Sequence, residues 1–181
     1  MKKTTHTQIL KMVMTALFAA LTFVATYIIR IPTVTGGYIH LGDCFVLLSG
    51  WMLGPVYGVL AAGIGSMLTD IAAGYFAWAP ATLLIKGLVA LIGWGLYAAL
   101  AKLLRGGWKI AGRVAAAVAA ELLMVLGYFL FEAAILGQGL TAAAAGVPAN
   151  LVQGAVGVAA GVLVVTLLSY SKLTDRTIFQ A

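Results

Sequence analysis

The chain has 181 residues, of which 63% are hydrophobic and only 9% are charged, and its mean hydropathy is +1.08. Soluble domains carry about 25% charged residues, so this composition excludes an ordinary soluble fold and indicates a chain embedded in a lipid bilayer. Eleven Lys and Arg against five Asp and Glu give a net charge of +6. These cations lie at the ends of apolar runs rather than along one stripe, which argues against nucleic acid as a partner.

The motifs of metal, redox and nucleotide chemistry are absent from the sequence. Cys44 is the single cysteine, so no intrachain disulfide can form, and no Cys/His spacing predicts a zinc site. There is no GxxxxGK[ST] phosphate loop, HExxH or GxSxG motif. The first apolar run is too long for a signal peptide and is followed by several others. We therefore expect no metal, no cofactor and no ATP hydrolysis by this chain itself.

Charged residues, prolines and glycines divide the chain into six apolar segments. A membrane-crossing helix needs roughly 20 mostly apolar residues. The segments are residues 8–29, 44–53, 56–73, 80–104, 111–136 and 147–170. The second is short and crosses only if it is tilted, extended or partly re-entrant. We predict an all-α integral membrane protein with six transmembrane helices in a single domain, residues 1–181, with short tails at 1–7 and 171–181.

The distribution of cations predicts the orientation, because short loops rich in Lys and Arg stay in the cytoplasm. With six spans, nine of the eleven cations fall on one side, namely Lys2, Lys3, Lys11, Lys102, Arg105, Lys109, Arg113, Lys172 and Arg176. Both termini are therefore predicted to be cytoplasmic. The segments 31–43, 74–79 and 137–146 are then predicted to face outward.

Ionisable residues at the outer ends of the spans are candidates for function, because charges in a membrane are costly. Five of them fall towards this side: Arg30, Asp43, Asp70, Lys86 and Glu132. They could line one pocket that is open to the outside. The alternative is that they pair with one another and merely hold helices together. Glu121 lies deeper, where an inner salt bridge or a packing role is expected rather than contact with a ligand.

Aromatic and amide side chains in the outer segments are suited to a small polar ring compound. Tyr38 and His40 lie in the first outer segment, and Trp78 lies in the next. Asn150 and Gln153 are i, i+3 neighbours on one helical face. Pockets of this kind are mostly apolar and aromatic with a few placed polar groups. The sequence thus predicts a binding site rather than a catalytic one.

Several motifs together resemble one family, the substrate-binding S components of energy-coupling factor (ECF) vitamin transporters. They extend over nearly the whole chain and comprise Ala16 to Ala20, Gly37 to Asp43, Leu53-Gly54-Pro55, Gly63 to Asp70, Ala79 to Thr82, Lys86-Gly87-Leu88, Gly127-Tyr128, Glu132 and Pro148 to Gly154. The resemblance implies an S-component-like bundle in a prokaryotic cell membrane. It also implies capture of a vitamin or vitamin precursor and assembly with a transmembrane T component and two ATPase subunits.

The resemblance also implies roles for particular residues. Ala16 and Ala20 are expected to face the T component, since small side chains allow close approach of helices. The segment Tyr38 to Asp43 is expected to form a lid and part of the pocket. Lys86, Glu132, Asn150 and Gln153 are expected to project into the same pocket.

The outer charges nearly cancel, so we expect a neutral or weakly charged heterocycle as the substrate. The pattern around Leu41-Gly42-Asp43 is most similar to S components for pyridoxine-type vitamins or the thiamin precursor hydroxymethylpyrimidine. Riboflavin and biotin S components are expected to be more distant. Two other classes stay open: a small intramembrane enzyme that uses His40 with Glu132 or Asp70, and a structural subunit of another membrane complex.

Overall fold

A computed structural model describes residues 2–170 of the chain, with side chains from His6 onward. In chain order the elements are α1 (Lys2–Ile28), β1 (Arg30–Pro32), β2 (Tyr38–His40), α2 (Asp43–Ala72), α3 (Ala79–Leu103), α4 (Trp108–Leu130), which continues as a π-helical turn (Phe131–Ile135), α5 (Gly139–Ala144) and α6 (Val147–Tyr170). The side chains of Lys2 and Lys3, and residues 171–181 with Lys172 and Arg176, lie outside the described part.

Five helices in the described part are long and apolar enough to cross a membrane, where the sequence predicted six spans. They are His6–Ile28, Asp43–Ala72, Ala79–Leu103, Trp108–Ile135 and Gly139–Tyr170. The difference arises in α2, which contains both the predicted second span and the predicted third. The structure thus joins, as two helical parts of one element, the segments that the sequence divided at Gly54-Pro55.

The backbone of α2 is nevertheless broken at Gly54. The φ of 77° and ψ of −170° at Gly54 are not helical, and glycine adopts them without steric strain. Pro55 begins the second part of α2, and the first turn of a helix is the place where the missing N–H of proline costs least. The Ser49 hydroxyl donates to the Gly58 carbonyl at 3.0 Å. Nine residues of straight helix would separate these groups by about 13.5 Å. Hence α2 folds back on itself at Gly54.

Close backbone contacts at glycines hold the helices together. A side chain on Gly50 would collide with the backbone of Ala90 in α3, and one on Gly65 would lie 2.5 Å from the Ala19 carbonyl oxygen in α1. Two clusters of buried apolar side chains fill the remaining interior. One joins α2, α3 and α4, and the other joins α1, α2 and α6. In a bilayer there is little hydrophobic driving force between helices, so the helices associate through close packing. The small residues provide these close contacts.

The first predicted outer segment contains a short β-hairpin, which the all-α prediction did not include. Strands β1 and β2 pair antiparallel, with Arg30 opposite His40 and Pro32 opposite Tyr38. The Thr33 N–H donates to the Gly37 carbonyl at 2.9 Å, and Gly36 has a φ of 84° in the turn. The hairpin follows α1 directly and leads through Gly42 into α2. The hairpin therefore lies beside the start of α2, and β2 also contacts α1 and α6.

Candidate functional site

A small polar cavity lies between the hairpin and helices α2, α3, α4 and α6. The residues that line it are Thr33, Gly37, Tyr38, His40, Asp70, Tyr75, Trp78, Thr82, Tyr128, Glu132 and Gln153. Its volume is about 30 Å³, and a single water needs roughly 10–15 Å³ on this measure. The cavity is thus narrow and holds a few waters at most.

Aromatic rings form one wall of the cavity. The ring centroids of Tyr38 and Tyr75 are 4.7 Å apart, and those of Tyr75 and Trp78 are 5.9 Å apart in an edge-to-face arrangement. The ring of Tyr38 also lies 5.6 Å from that of His40. Such clusters present flat apolar faces beside a few polar edges, which is typical of a site for a planar ring.

Two carboxylates face the aromatic wall, each held through one of its oxygens. The Tyr38 hydroxyl donates to Oδ1 of Asp70 at 2.5 Å, and the Thr35 hydroxyl donates to Oε1 of Glu132 at 3.1 Å. Glu132 lies in the π-helical turn that ends α4, a local widening that often occurs at functional sites. The second oxygens of both carboxylates, and Nε1 of Trp78, have no partner at full hydrogen-bond geometry in the described part. The Thr82 hydroxyl lies close enough to Asp70, and the Trp78 N–H close enough to Glu132, to stabilise each carboxylate weakly. The two second oxygens are therefore the least satisfied polar atoms of the site.

Asp43 and Lys86, both predicted to bind substrate, lie behind the cavity and pair with each other. The Lys86 ammonium donates to Oδ1 of Asp43 at 2.5 Å, and both side chains are fully buried. The ammonium also approaches Sδ of Met124 at 2.9 Å and lies 5.5 Å from the Tyr128 ring centre. Neither residue lines the cavity. These two residues therefore fit the alternative given in the sequence analysis, in which ionisable residues pair with one another and hold helices together.

Gln153 connects this buried pair to the hairpin. Its Nε2 donates to Oδ2 of Asp43 at 2.7 Å, and its Oε1 accepts from the backbone N–H of His40 at 3.0 Å. One amide therefore links α6, α2 and β2, while its side chain also lines the cavity. The prediction that Gln153 belongs to the site agrees with this position.

His40 is buried and its ring is neutral. Its Nδ1 accepts from the Gly42 N–H at 3.0 Å, which leaves the proton of the neutral ring on Nε2. Burial away from solvent lowers the pKa of His40 to about 3, against opposing attraction from Asp43. Burial, together with the Asp70 carboxylate, likewise raises the pKa of Tyr38 well above its ordinary value. Neither side chain brings charge to the cavity at neutral pH.

Two other expectations differ from the structure. Asn150, one turn before Gln153, is half-buried and does not line the cavity. Arg30 donates to the Tyr27 carbonyl, stacks 4.2 Å from that ring and does not line the cavity. Glu121 packs against Gly154, which is the packing alternative of the two roles expected for it, and its two oxygens have no hydrogen-bond partner in the described part.

Some lining residues were given no role by the sequence reasoning. Thr82 and Tyr128 line the cavity, and their hydroxyls lie 3.1 Å apart. Each is four residues before a residue that the sequence did single out, Lys86 and Glu132 respectively. Residues four apart share a helical face, so this spacing was the signal that could have found them.

The fold is that of an S component. It is similar to the solved S component of a bacterial ECF transporter, with a TM-score of 0.65 and 20% identity over 93% of this chain and 97% of that one. The model of the ECF-type riboflavin transporter S component family matches residues 6–170. The chain belongs to this family, and it is a multi-pass protein of the prokaryotic cell membrane.

A curated relative adds sequence similarity but no activity. An uncharacterized protein from Pyrococcus woesei is 42% identical over 73 residues, which is 39% of this chain and 49% of the relative. The match thus spans about half the length of that relative. From the sequence, riboflavin S components were expected to be more distant relatives than those for pyridoxine-type vitamins. The match to the riboflavin S component family corrects this expectation. It does not confirm the expectation of a pyridoxine-type or hydroxymethylpyrimidine substrate.

Proposed function

We propose that this protein is a high-affinity capture subunit of an ECF-type importer and binds a planar heterocyclic vitamin or vitamin precursor. The observation that carries the proposal is the narrow polar cavity, in which aromatic rings and two carboxylates form one lining. Pockets that bind small molecules combine apolar faces with a few placed polar groups. Family membership and the similar fold support the same function.

The hairpin is proposed to act as the lid of this site. Its residues Thr33, Gly37 and Tyr38 line the cavity, while the turn residue Val34 is 83% exposed. A volume of about 30 Å³ is too small for a vitamin, so the hairpin must move for a ligand to enter. The contacts that close it are side-chain hydrogen bonds from Tyr38 to Asp70 and from Thr35 to Glu132, together with those between the hairpin backbone and the amides of Gln138 and Gln153. Hydrogen bonds to carboxylates contribute roughly 1.5–3 kcal/mol each, a cost of opening that is recovered when the lid closes over a ligand.

We further propose that the chain crosses the membrane six times with both termini in the cytoplasm. The break at Gly54 and the contact of Ser49 with Gly58 support two separate crossings within α2. The described cations Lys11, Lys102 and Lys109 lie near helix ends that are then on one side.

A T component and two ATPase subunits are the proposed partners. The small-residue face of α1 supports this proposal, since Ala16 and Ala20 are exposed whereas Ala19 contacts α2 beside Gly65. An exposed stripe of small side chains allows another helix to approach closely. Because the chain has no phosphate loop, the energy for transport would come from the partner ATPases.

The particular vitamin is the finer part of the proposal. The pattern around Leu41-Gly42-Asp43 favours a one-ring compound such as pyridoxine or hydroxymethylpyrimidine, whereas the family name favours riboflavin, which has three fused rings. The enzyme alternative gains no support, because His40 is neutral and its Nδ1 is occupied by the Gly42 N–H. Capture at an aromatic and acidic site beneath a movable hairpin is the function that we propose.

The test is a binding screen on the purified protein in detergent micelles. Riboflavin, pyridoxine, hydroxymethylpyrimidine and other B vitamins are titrated by calorimetry, and the mass of any co-purifying compound is determined. A sub-micromolar ligand that is weakened at least tenfold by Trp78→Ala supports the proposal. The control is Phe76→Ala, which removes an exposed aromatic ring of the same segment that does not line the cavity. Absence of sub-micromolar binding for every vitamin tested would refute it.

A further inference from the structure

The cavity is acidic, in contrast to the nearly balanced charge that the sequence suggested. Asp70 and Glu132 line it, and no Lys or Arg is among its described lining residues. The two cations that were expected to balance them are engaged elsewhere: Lys86 pairs with Asp43 behind the cavity, and Arg30 stacks on Tyr27 outside it. The balance of charge is therefore lost at the cavity itself.

The hydrogen-bonding groups of the cavity show the same asymmetry. Oδ2 of Asp70 and Oε2 of Glu132 are buried acceptors that no donor meets at full hydrogen-bond geometry, although the Thr82 hydroxyl and the Trp78 N–H lie near the two carboxylates. The amide of Gln153 is fully used by Asp43 and the His40 N–H. Buried carboxylate oxygens left without donors are costly. A ligand that supplies donors removes this cost, whereas one that brings acceptors does not.

We propose that the site selects a heterocycle that carries a protonated amine or an amino group beside a ring N–H. Asp70 and Glu132 accept the hydrogen bonds that these groups donate. The inference rests on the proposed capture function and narrows its substrate class. Anionic vitamins would be repelled by the two carboxylates, because no cation is among the described lining residues of the site. Repulsion of the wrong ligand contributes to specificity as much as attraction of the right one. Aminomethylpyridines carry a protonated amine, and aminopyrimidines carry an amino group beside a ring nitrogen that becomes an N–H donor when it is protonated next to a carboxylate. Both have one flat ring that suits the aromatic wall.

Pyridoxamine and pyridoxine provide the sharpest test, because they share one ring and differ by an aminomethyl group in place of a hydroxymethyl group. Both are titrated by calorimetry into the full-length protein in micelles at pH 7, with the free aminopyrimidine precursor and riboflavin in parallel. A charged hydrogen bond contributes roughly 1.5–3 kcal/mol, so we expect pyridoxamine to bind about 10- to 100-fold more tightly than pyridoxine. This comparison uses the wild-type protein and needs no variant to fold.

Isosteric variants then assign the preference to the two carboxylates. Asp70→Asn and Glu132→Gln should each reduce the ratio of the two affinities by about tenfold, because the amide keeps the shape and loses the charge. Glu121→Gln is the matched control, since that buried carboxyl faces the groove between α4 and α6 and not the cavity. It should leave the ratio within about twofold. Thermal unfolding without ligand checks that each variant retains its fold.

The outcomes separate this inference from the proposed function. If pyridoxine binds as well as pyridoxamine, or riboflavin binds below micromolar with no loss in Asp70→Asn and Glu132→Gln, the selection of donors is wrong while vitamin capture stands. Preferential binding of pyridoxamine or the aminopyrimidine that both variants abolish supports the inference. If no vitamin binds, the inference and the capture function are both overturned.

Discussion

Lys86 of α3 and Asp43 at the start of α2 form a fully buried ion pair, with Nζ of Lys86 2.5 Å from Oδ1 of Asp43. It is the one ion pair in the described part of the chain. Gln153 extends it to β2, so the base of the hairpin is tied to three helices through one connected set of polar groups. The pair therefore anchors the hairpin next to the cavity and does not line the cavity itself.

Breaking this pair should destabilise the fold more than removing it. Lys86→Met or Asp43→Asn alone leaves a buried group without its partner, and we expect each to lower the free energy of unfolding by about 3–5 kcal/mol. The double variant removes both charges and should recover most of that loss. Thermal unfolding in micelles measures all three. Additive losses in the double variant would show that the two residues act independently.

Gln153 should be more important than Asn150 for ligand binding, although the sequence ranked them equally. Gln153→Leu removes the acceptor of the His40 N–H, and an unsatisfied buried group costs about 1–3 kcal/mol. We expect roughly 10- to 100-fold weaker binding of the captured vitamin in calorimetry. Asn150→Leu is the matched control on the same helical face and should change the affinity less than about threefold. Equal losses would contradict the role of the hydrogen bond to the hairpin.

Acidification should destabilise the protein through His40. Its pKa is about 3 in the folded protein and about 6.5 when unfolded, so between these values the unfolded chain binds more protons. The contribution to stability is therefore complete above about pH 6.5 and is lost as the pH falls towards 3. At pH 5 the loss is about 2 kcal/mol.

The measurement is thermal unfolding from pH 7.5 to pH 4.5 in the same detergent. His40→Asn places an amide oxygen near the position of Nδ1, where it accepts the Gly42 N–H without titrating. This variant should lose about 2 kcal/mol less between pH 7 and pH 5 than the wild type. An unchanged pH dependence in His40→Asn would assign it to another group.

Glycines at helix contacts should tolerate no side chain. Gly50→Ala forces a methyl group against the backbone of Ala90, and we expect a loss of about 1–3 kcal/mol, as is usual for overpacking. Gly95→Ala is the control, because nothing lies within 4 Å of the added atom, and alanine should stabilise that helix slightly. Unfolding temperatures of the two variants in micelles distinguish contact from composition. Equal effects would refute the close approach of α2 and α3.

The exposed face of α1 should be required for assembly with a T component. Ala16→Trp places a large ring where a partner helix is proposed to lie, and we expect at least a tenfold loss of T component in co-purification. Ala159→Trp makes the same change at an exposed position of α6. That control should co-purify at the wild-type level. Retention of the T component by Ala16→Trp would place the docking surface elsewhere.

The sequence by itself determined that the chain lies in a bilayer and which class of fold it has, and it singled out several of the residues that line the cavity. Apolar runs and scarce charge suffice for this, because a bilayer tolerates few polar groups and their positions are readable along a chain. Tyr38, His40, Trp78, Glu132 and Gln153 were all predicted at the site and all line the cavity. The hairpin and the contact across Gly54 were not predicted, since both depend on pairing between segments.

Only the tertiary structure decided which ionisable residues face the cavity. Five were expected to converge, but Lys86 and Asp43 neutralise each other behind it and Arg30 lies outside, so Asp70 and Glu132 alone remain. Composition counts charges, whereas the charge of a site depends on which of them are already paired and in which direction each side chain points. The nearly neutral outer set in the sequence is therefore an acidic cavity in the folded protein.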